Sequence, residues 1–489
     1  MAIQVTSYST PLSKLPEGPK HPDYSYYFQD WVQIRDCVAG ERAIKTKTTI
    51  YLPRLESQKD QDYTPYLARS VFYNAVSRTI EGLMGSIFRR PHTITNFPGN
   101  TKLDLKKITK DGESFTTFLK TITEEVITLG RVGALVDLPS SPSQEPQPYL
   151  CVYAAENILY WETGNVNGKR ALTSVLLMEV EYSRNFSFVT KQKEIYRQLY
   201  LTTDLLGKYE YRQAIYEMVD GVDEKGGKSR VLNKLDDIKP EIGGKSLEYI
   251  PFMFFGPKSL TPIVQKSPVY DISTLNLAHF RSSADLEHGR HYAAMPVYWV
   301  TGADDNQTEF KVGPNIAWKL GTDDKAGLVE FTGQGLKSLE TSCLDKERQI
   351  ASLGGRLVGP RPGTAAQSTE SSKIQEDGEE ATLLNIAQKI SEGSTILLEW
   401  MFQFAMESIP EDLSVELNQD FSQGEITARE MRAIQSLWEA SILPLDVLYK
   451  VFREAGIVPS YMQLDEFKAL LKNKDQIPEP EPAPTLPVK

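Results

Sequence analysis

Residues 354–373 read GGRLVGPRPGTAAQSTESSK. Leu357 and Val358 are the sizeable apolar side chains of this stretch, among glycine, proline, serine, threonine and two arginines, Arg356 and Arg361. Such a segment has little to bury and reads as an open basic loop. Helical patterns flank it on both sides. Before it stands GLKSLETSCLDKERQIASLG (335–354). After it, Leu383, Ile386, Ile390, Ser394, Leu397, Met401 and Phe404 recur at intervals of three and four. That stripe runs for about six turns, so its helix must bury a face along most of its length.

The same order extends outward. PVYDISTLNLAHFRSSADLEHGRHYAA (268–294) predicts a helix with a weak apolar pattern, either solvated or packed against copies of itself. A small β-rich island, 296–333, separates it from the helix before the loop. Upstream, a helix is expected from Thr64, as cap, and Pro65 to Pro91, with Val76, Ile80, Leu83 and Ile87 on one face. A second is expected from Ser114 to Gly130, and RVGALVD (131–137) reads as a buried strand. From 149 to 217, short β-branched and aromatic runs between turn residues predict an antiparallel meander, followed by a polar loop, VDEKGGKSRVLNK (222–234), and a buried strand, YIPFMFF (249–255). Past LNQDF (417–421), read as a short strand, the chain predicts three short helices. The first is opened by a Thr427–Glu430 capping box with Met431, Ile434, Leu437 and Trp438 on one face. The fold class expected is α+β.

The totals bound the function. The chain has 489 residues, with 65 acidic against 54 basic side chains and a net charge of −11. An acidic chain is poorly suited to gripping duplex nucleic acid. Cys37, Cys151 and Cys343 are odd in number and far apart, which points to neither a disulfide framework nor a zinc site. Residues 1–20 lack an apolar core and no run of about 18 apolar residues occurs, so neither a signal peptide nor a membrane span is expected.

No chemical motif is complete. VDEKGGKS (222–229) and KPEIGGKS (239–246) end in Gly-Lys-Ser, but Val222 and Lys239 stand where a phosphate loop needs its first glycine. GQGLKS (333–338) lacks the third glycine of a dinucleotide fingerprint. His288 and His291 share a helix face near His279, without a third ligand at metal spacing. Glu124–Glu125 and Asp304–Asp305 read as solvated surface, and Arg89–Arg90 as cations at a helix C-terminus. No nucleophile elbow or Cys/His pairing occurs. No catalytic residue, metal or cofactor is expected.

Several longer stretches carry a resemblance. DWVQIRDCVAGERAIKTKTTIYLPR (30–54), YLARSVFYNAVSRTIEGLMGSIFRRP (66–91), GRVGALVDLP (130–139) and LNLAHFRSSADLEHGRHYAAMPVYWVTG (275–302) resemble the portal proteins of tailed bacteriophages, most of all a branch known as a domain of unknown function. The resemblance covers roughly residues 20–470 and implies a non-enzymatic ring, usually of twelve subunits, at one capsid vertex. Double-stranded DNA enters and leaves the virion through such a ring, pumped by a terminase motor. The major capsid protein and a tail adaptor are the other partners implied, with no membrane. The resemblance divides the chain into an N-terminal wing region (1–266), a first stem helix (267–295), a clip (296–334) and a second stem helix (335–356). A tunnel loop (357–370), a long helix with wing return (371–426), a helical crown (427–475) and a disordered Pro-rich tail (476–489) follow. The channel and tunnel-loop residues implied are Arg356, Gly359, Arg361, Gly363, Thr364 and Gln367, and the clip contacts Trp299, Asp304, Lys311 and Trp318. An acidic wall repels phosphate and lets duplex slide past, while the loop arginines touch it weakly. The rival readings are another head–tail connector ring and, further off, a nucleotide-dependent enzyme using the Gly-Lys-Ser loops.

Overall fold

The computed structural model describes residues 18–54, 56–139, 147–184, 190–222, 228–294, 297–301, 318, 323–329, 334–355, 369–419, 421, 428–440, 443–454, 458 and 462–472. Helices and antiparallel sheets are mixed, an α+β fold, and the chain divides into two compact units, Met1–Phe421 and Ser422–Lys489.

The first unit opens with α1 (Pro22–Ala39), α2 (Glu41–Thr46), α3 (Asp60–Arg69), α4 (Ala75–Ile87) and α5 (Phe115–Leu129). Helix α1 has Pro22 in its first turn and His21 as its cap, with Nδ1 accepting from the Asp23 N–H at 3.2 Å. Its buried side chains include Tyr24, Phe28, Trp31 and Ile34, yet Arg35 also turns inward. Arg35 places two parallel hydrogen bonds on Glu125 of α5, at 2.8 and 2.6 Å, and a third from Nε on Glu156 at 2.8 Å. That cation interrupts the apolar stripe by which α1 would be read as a helix.

The single helix expected from Thr64 to Pro91 is instead two. Thr64 lies inside α3 with its Oγ1 on the Asp60 carbonyl, and Pro65 is internal too. Ser70–Asn74 runs non-helical, and Asn74 caps α4 by accepting from the Ser77 N–H at 3.1 Å. Val76, Ile80, Leu83 and Ile87 are all buried, as their spacing requires. Helix α5 matches its expected ends. Ser114 accepts from the Thr117 N–H, and Gly130 closes the helix at φ +74°, the left-handed conformation glycine favours.

Strands Val132–Asp137, Tyr149–Ala154 and Phe252–Phe255 form one antiparallel sheet with Val132–Asp137 in the centre. All six of its residues are buried, which explains the unbroken apolar run. Tyr149–Ala154 was expected in the meander and belongs here instead. The meander itself has five strands, Ile158–Val166, Lys169–Arg184, Thr190–Thr203, Tyr209–Val222 and Lys228–Ile238, each paired antiparallel with the next. The last falls largely inside the stretch read as a polar loop. Seven of its eleven side chains are polar or charged, and these dominated the reading. Arg197 joins the two sheets, pairing with Asp137 at 2.7 Å and Glu179 at 3.0 Å.

Helices α6 (Tyr270–Ala293), α7 (Gln334–Gly355) and α8 (Thr369–Phe404) complete the first unit. Every residue of the expected α8 stripe from Leu383 to Phe404 is buried. The short strand expected at 417–421 lies earlier, at Ser414–Glu416, where it pairs with Thr93–Thr95. In the second unit, α9 (Ala428–Glu439), α10 (Leu445–Glu454) and α11 (Leu464–Lys472) form the three expected helices, with Tyr449, Val458 and Phe467 as a small core. Thr427 and the tail 476–489 lie outside the described residues.

Candidate structural site: the α6–α7 helix pair and its β ribbon

Helices α6 and α7 run antiparallel, because their contacts pair early residues of one with late residues of the other. Arg290 reaches Glu340 at 2.7 Å, Lys346 reaches the Ser282 hydroxyl at 3.0 Å, and His279 Nε2 lies 3.1 Å from Glu347. Gly289 lets them approach, since a Cβ there would stand 2.5 Å from Leu336 Cδ2.

The weak apolar pattern of α6 has a cause within its own chain. The helix is packed within its own chain, and its polar side chains are spent on neighbouring loops and helices. Asn276 accepts from the Ala75 N–H at 3.0 Å and donates to the Tyr73 carbonyl at 2.7 Å, fixing the bend between α3 and α4. Asp285 accepts from the Tyr66 hydroxyl at 2.6 Å, Arg281 donates to the Tyr51 carbonyl, and Ser273 meets Gln33 of α1. His288 lies 3.3 Å from Arg69 through Nδ1, edge-on to Tyr66 and Tyr292. Burial, and then the nearby Arg69 and His291 charges, lower its pKa below the usual imidazole range. His291 also stands against Tyr292, and His279 against Glu347. Among the described residues no group of three or more His, Cys, Asp or Glu could hold a metal ion.

Helix α7 covers α6 and leaves its other side open. Cys343, Ile350 and Gly354 are buried, while Leu344, Asp345, Glu347 and Arg348 are exposed. Asp345 and Arg348 pair at 3.3 Å, and α7 holds three acidic and three basic residues, so its charge is balanced. The acidic surplus lies further on, where residues 370–380 carry Glu370, Glu376, Asp377, Glu379 and Glu380 against Lys373.

Between α6 and α7, Val297–Val300 pairs antiparallel with Ala326–Val329 as a two-stranded ribbon. Trp299 lies on Gly327, where a Cβ would stand 2.7 Å from the indole, and it remains 40% exposed. Tyr298 meets Trp318 edge-on at 5.7 Å. Tyr298 and Trp299, successive residues of one strand, point to opposite faces of the ribbon. Asp304 and Lys311 lie outside the described residues, as do Arg356, Gly359, Arg361, Gly363, Thr364 and Gln367.

The Gly-Lys-Ser stretches have local geometry unlike a phosphate loop. Gly243 and Gly244, at φ +56° and +75°, form the turn of a hairpin pairing Glu241–Ile242 with Lys245–Ser246, and Lys228 begins a strand. Neither precedes a helix N-terminus, which a phosphate cradle needs. Arg89 and Arg90 follow the end of α4, the first exposed and the second half-buried. Cys37, Cys151 and Cys343 are buried free thiols. Among the described residues no helix is long and apolar enough to cross a membrane.

Comparison with known proteins adds one family. The model of DUF4055, a domain of unknown function, matches residues 268–405, a span that runs from α6 through the ribbon and α7 to the end of α8. No curated protein matches the chain. Among solved structures, a chain in the virion of the native gene transfer agent (GTA) particle is similar over 82% of this chain and 95% of its own, at 12% identity and a TM-score of 0.39. A chain in the neck of the empty GTA particle, computed with C6 symmetry, is similar over 89% and 99%, at 13% identity and 0.39. One in the neck of the native GTA particle, computed with C12 symmetry, is similar over 82% and 96%, at 11% identity and 0.37.

Proposed function

We propose that the chain is a structural subunit of a phage-type particle, and within that class a portal protein. Copies form a ring, twelve in number, at one capsid vertex. The ring is the conduit through which double-stranded DNA is packaged and ejected, and terminase, the major capsid protein and a tail adaptor dock on it. The reading assigns no catalytic role. The observation that carries it is the succession of α6, ribbon, α7, basic Gly/Pro loop and long α8, in the order that the family resemblance implies. In this reading α6 and α7 are the stem, residues 296–334 the clip with Trp299, Asp304, Lys311 and Trp318, and the loop with Arg356 and Arg361 faces the channel.

The physical requirements of a conduit support it. A stem must be rigid, and the Asn276, Asp285 and Arg281 contacts hold α6 to its own subunit. A channel loop needs little apolar surface and a few cations that meet phosphate transiently. The acidic start of α8, next in sequence, opposes tight DNA binding. The test is sedimentation of the purified chain, alone and co-expressed with a major capsid protein. A discrete ring mass is expected; a dimer or tetramer under both conditions overturns the reading.

A further inference from the structure

Thr203 and Tyr209 close one hairpin of the meander, joined by the turn Asp204-Leu205-Leu206-Gly207-Lys208. The turn is fixed by its own backbone. The Asp204 carboxylate accepts from the Leu206 and Lys208 N–H groups, both at 2.8 Å, and the Asp204 N–H donates to the Lys208 carbonyl at 2.9 Å. Gly207 takes the φ of +78° that the turn requires. The result is a rigid tip presenting Leu205 at 106% and Leu206 at 92% relative exposure. Scattered apolar residues on a surface need no explanation, but two adjacent leucines held fully in water on an ordered turn form a knob.

The outer face of the same sheet carries a groove of about 250 Å³, lined by Pro19, Tyr160, Leu176, Tyr216 and Leu232. Its polar atoms are already engaged with one another: Gln198 donates to the Ser174 hydroxyl at 3.1 Å and accepts from the Tyr216 hydroxyl at 3.0 Å. The remaining lining is apolar or aromatic, so the groove suits aliphatic side chains. The tip cannot fill the groove of its own chain. Leu205 lies seven residues along the strand from Gln198, roughly 20 Å at the rise of a β-strand.

We propose that the Leu205–Leu206 tip of one subunit seats in the Tyr160–Leu176–Tyr216–Leu232 groove of a second copy of this chain. Knob and hole sit at different places on one molecule, which defines a head-to-tail contact. Repeated, such a contact closes into a ring when the rotation between copies divides a full turn. The inference deepens the ring reading above by naming a subunit contact, and it can fail separately from it.

The test uses the full-length chain. Leu206→Cys with Leu232→Cys, mildly oxidised, should give a ladder of covalently linked multiples that neither single variant gives. Leu205→Ser with Leu206→Ser should leave the circular dichroism unchanged, because the tip packs on nothing within its own chain, and should weaken self-association by at least about tenfold. Rings that form normally with both leucines replaced overturn the proposed contact and leave the ring reading standing. A contact that cross-links as described in an assembly without a central hole upholds the proposal and overturns the ring. A wild-type chain that never self-associates, a dimer from the Leu206→Cys single variant, or a link within one chain each overturns the proposal.

Discussion

Gly393 of α8 lies so close to the ring of Phe255 that a Cβ at position 393 would stand 2.4 Å from Cε1 and 2.9 Å from Cζ, with Leu260 Cδ2 at 3.1 Å. The long helix crosses the three-stranded sheet here, and the missing side chain sets their separation. Gly393→Ala gains helix propensity, worth about 1 kcal/mol. It also drives a methyl into a buried ring that packing holds in place, which costs about 1–3 kcal/mol. The net expectation is a loss of about 1 kcal/mol, read as a lower urea midpoint at unchanged slope. A stabilised variant would show that α8 and the sheet separate freely.

Arg35 is the cation on which two buried carboxylates depend. Replacing it with Met removes the cation that Glu125 and Glu156 share, at a cost of about 3–5 kcal/mol. Burial already pushes the Glu156 carboxyl above its ordinary range, against the pull of Arg35. An acid raised in the fold favours folding as pH falls toward its unfolded value. The Arg35→Met deficit should therefore shrink between pH 7 and about 5. The triple variant with Glu125→Gln and Glu156→Gln should recover most of the loss. Denaturant titrations at the two pH values measure both effects, and a pH-independent deficit would contradict the assignment.

His288 gives a pH effect of the opposite sign. Its pKa is lowered from 6.5 by burial and by the Arg69 and His291 charges, with Asp285 opposing. The fold prefers the neutral ring, so its contribution is complete above the unfolded value and is lost as pH falls below it. His288→Gln still accepts from Arg69 but does not titrate. The melting midpoint of wild type should fall more steeply than that of the variant between about pH 7 and 5.5. Parallel profiles would mean that the fold does not shift the His288 pKa and would contradict the assignment.

The basic loop bears on the proposed function. Deleting residues 359–367 should leave assembly intact and impair DNA packaging or retention, because nine residues of Gly, Pro, Ala, Thr, Gln and one Arg offer little to pack. Particle counts and packaged DNA per particle read the two effects separately. A deletion that abolishes assembly would make the loop a structural strap.

What the sequence disclosed follows from where the information lies. Helices α5 and α8 were legible because single-sided apolar stripes and local caps, Ser114 and Gly130, are written within a few residues. Helix α1 was missed because Arg35 sits in its stripe, and its carboxylate partners lie 90 and 121 residues away. The partition of α6 polar residues was illegible for the same reason: Tyr66 and Asp285 are 219 positions apart. The break between α3 and α4 was hidden by the apolar run Val71-Phe72-Tyr73, which keeps an approximate helical rhythm across a non-helical segment. Strand Lys228–Ile238 was read as loop because polar side chains suit the exposed edge of a sheet as well as they suit a turn. No sequence pattern marked the Leu205–Leu206 tip.

The most direct measurement is electron microscopy of the purified full-length protein, with particle mass determined on the same sample. Rings of about twelve copies around a hole wide enough for duplex DNA, about 20 Å, are expected. A compact particle of a few copies without a channel would contradict the conduit.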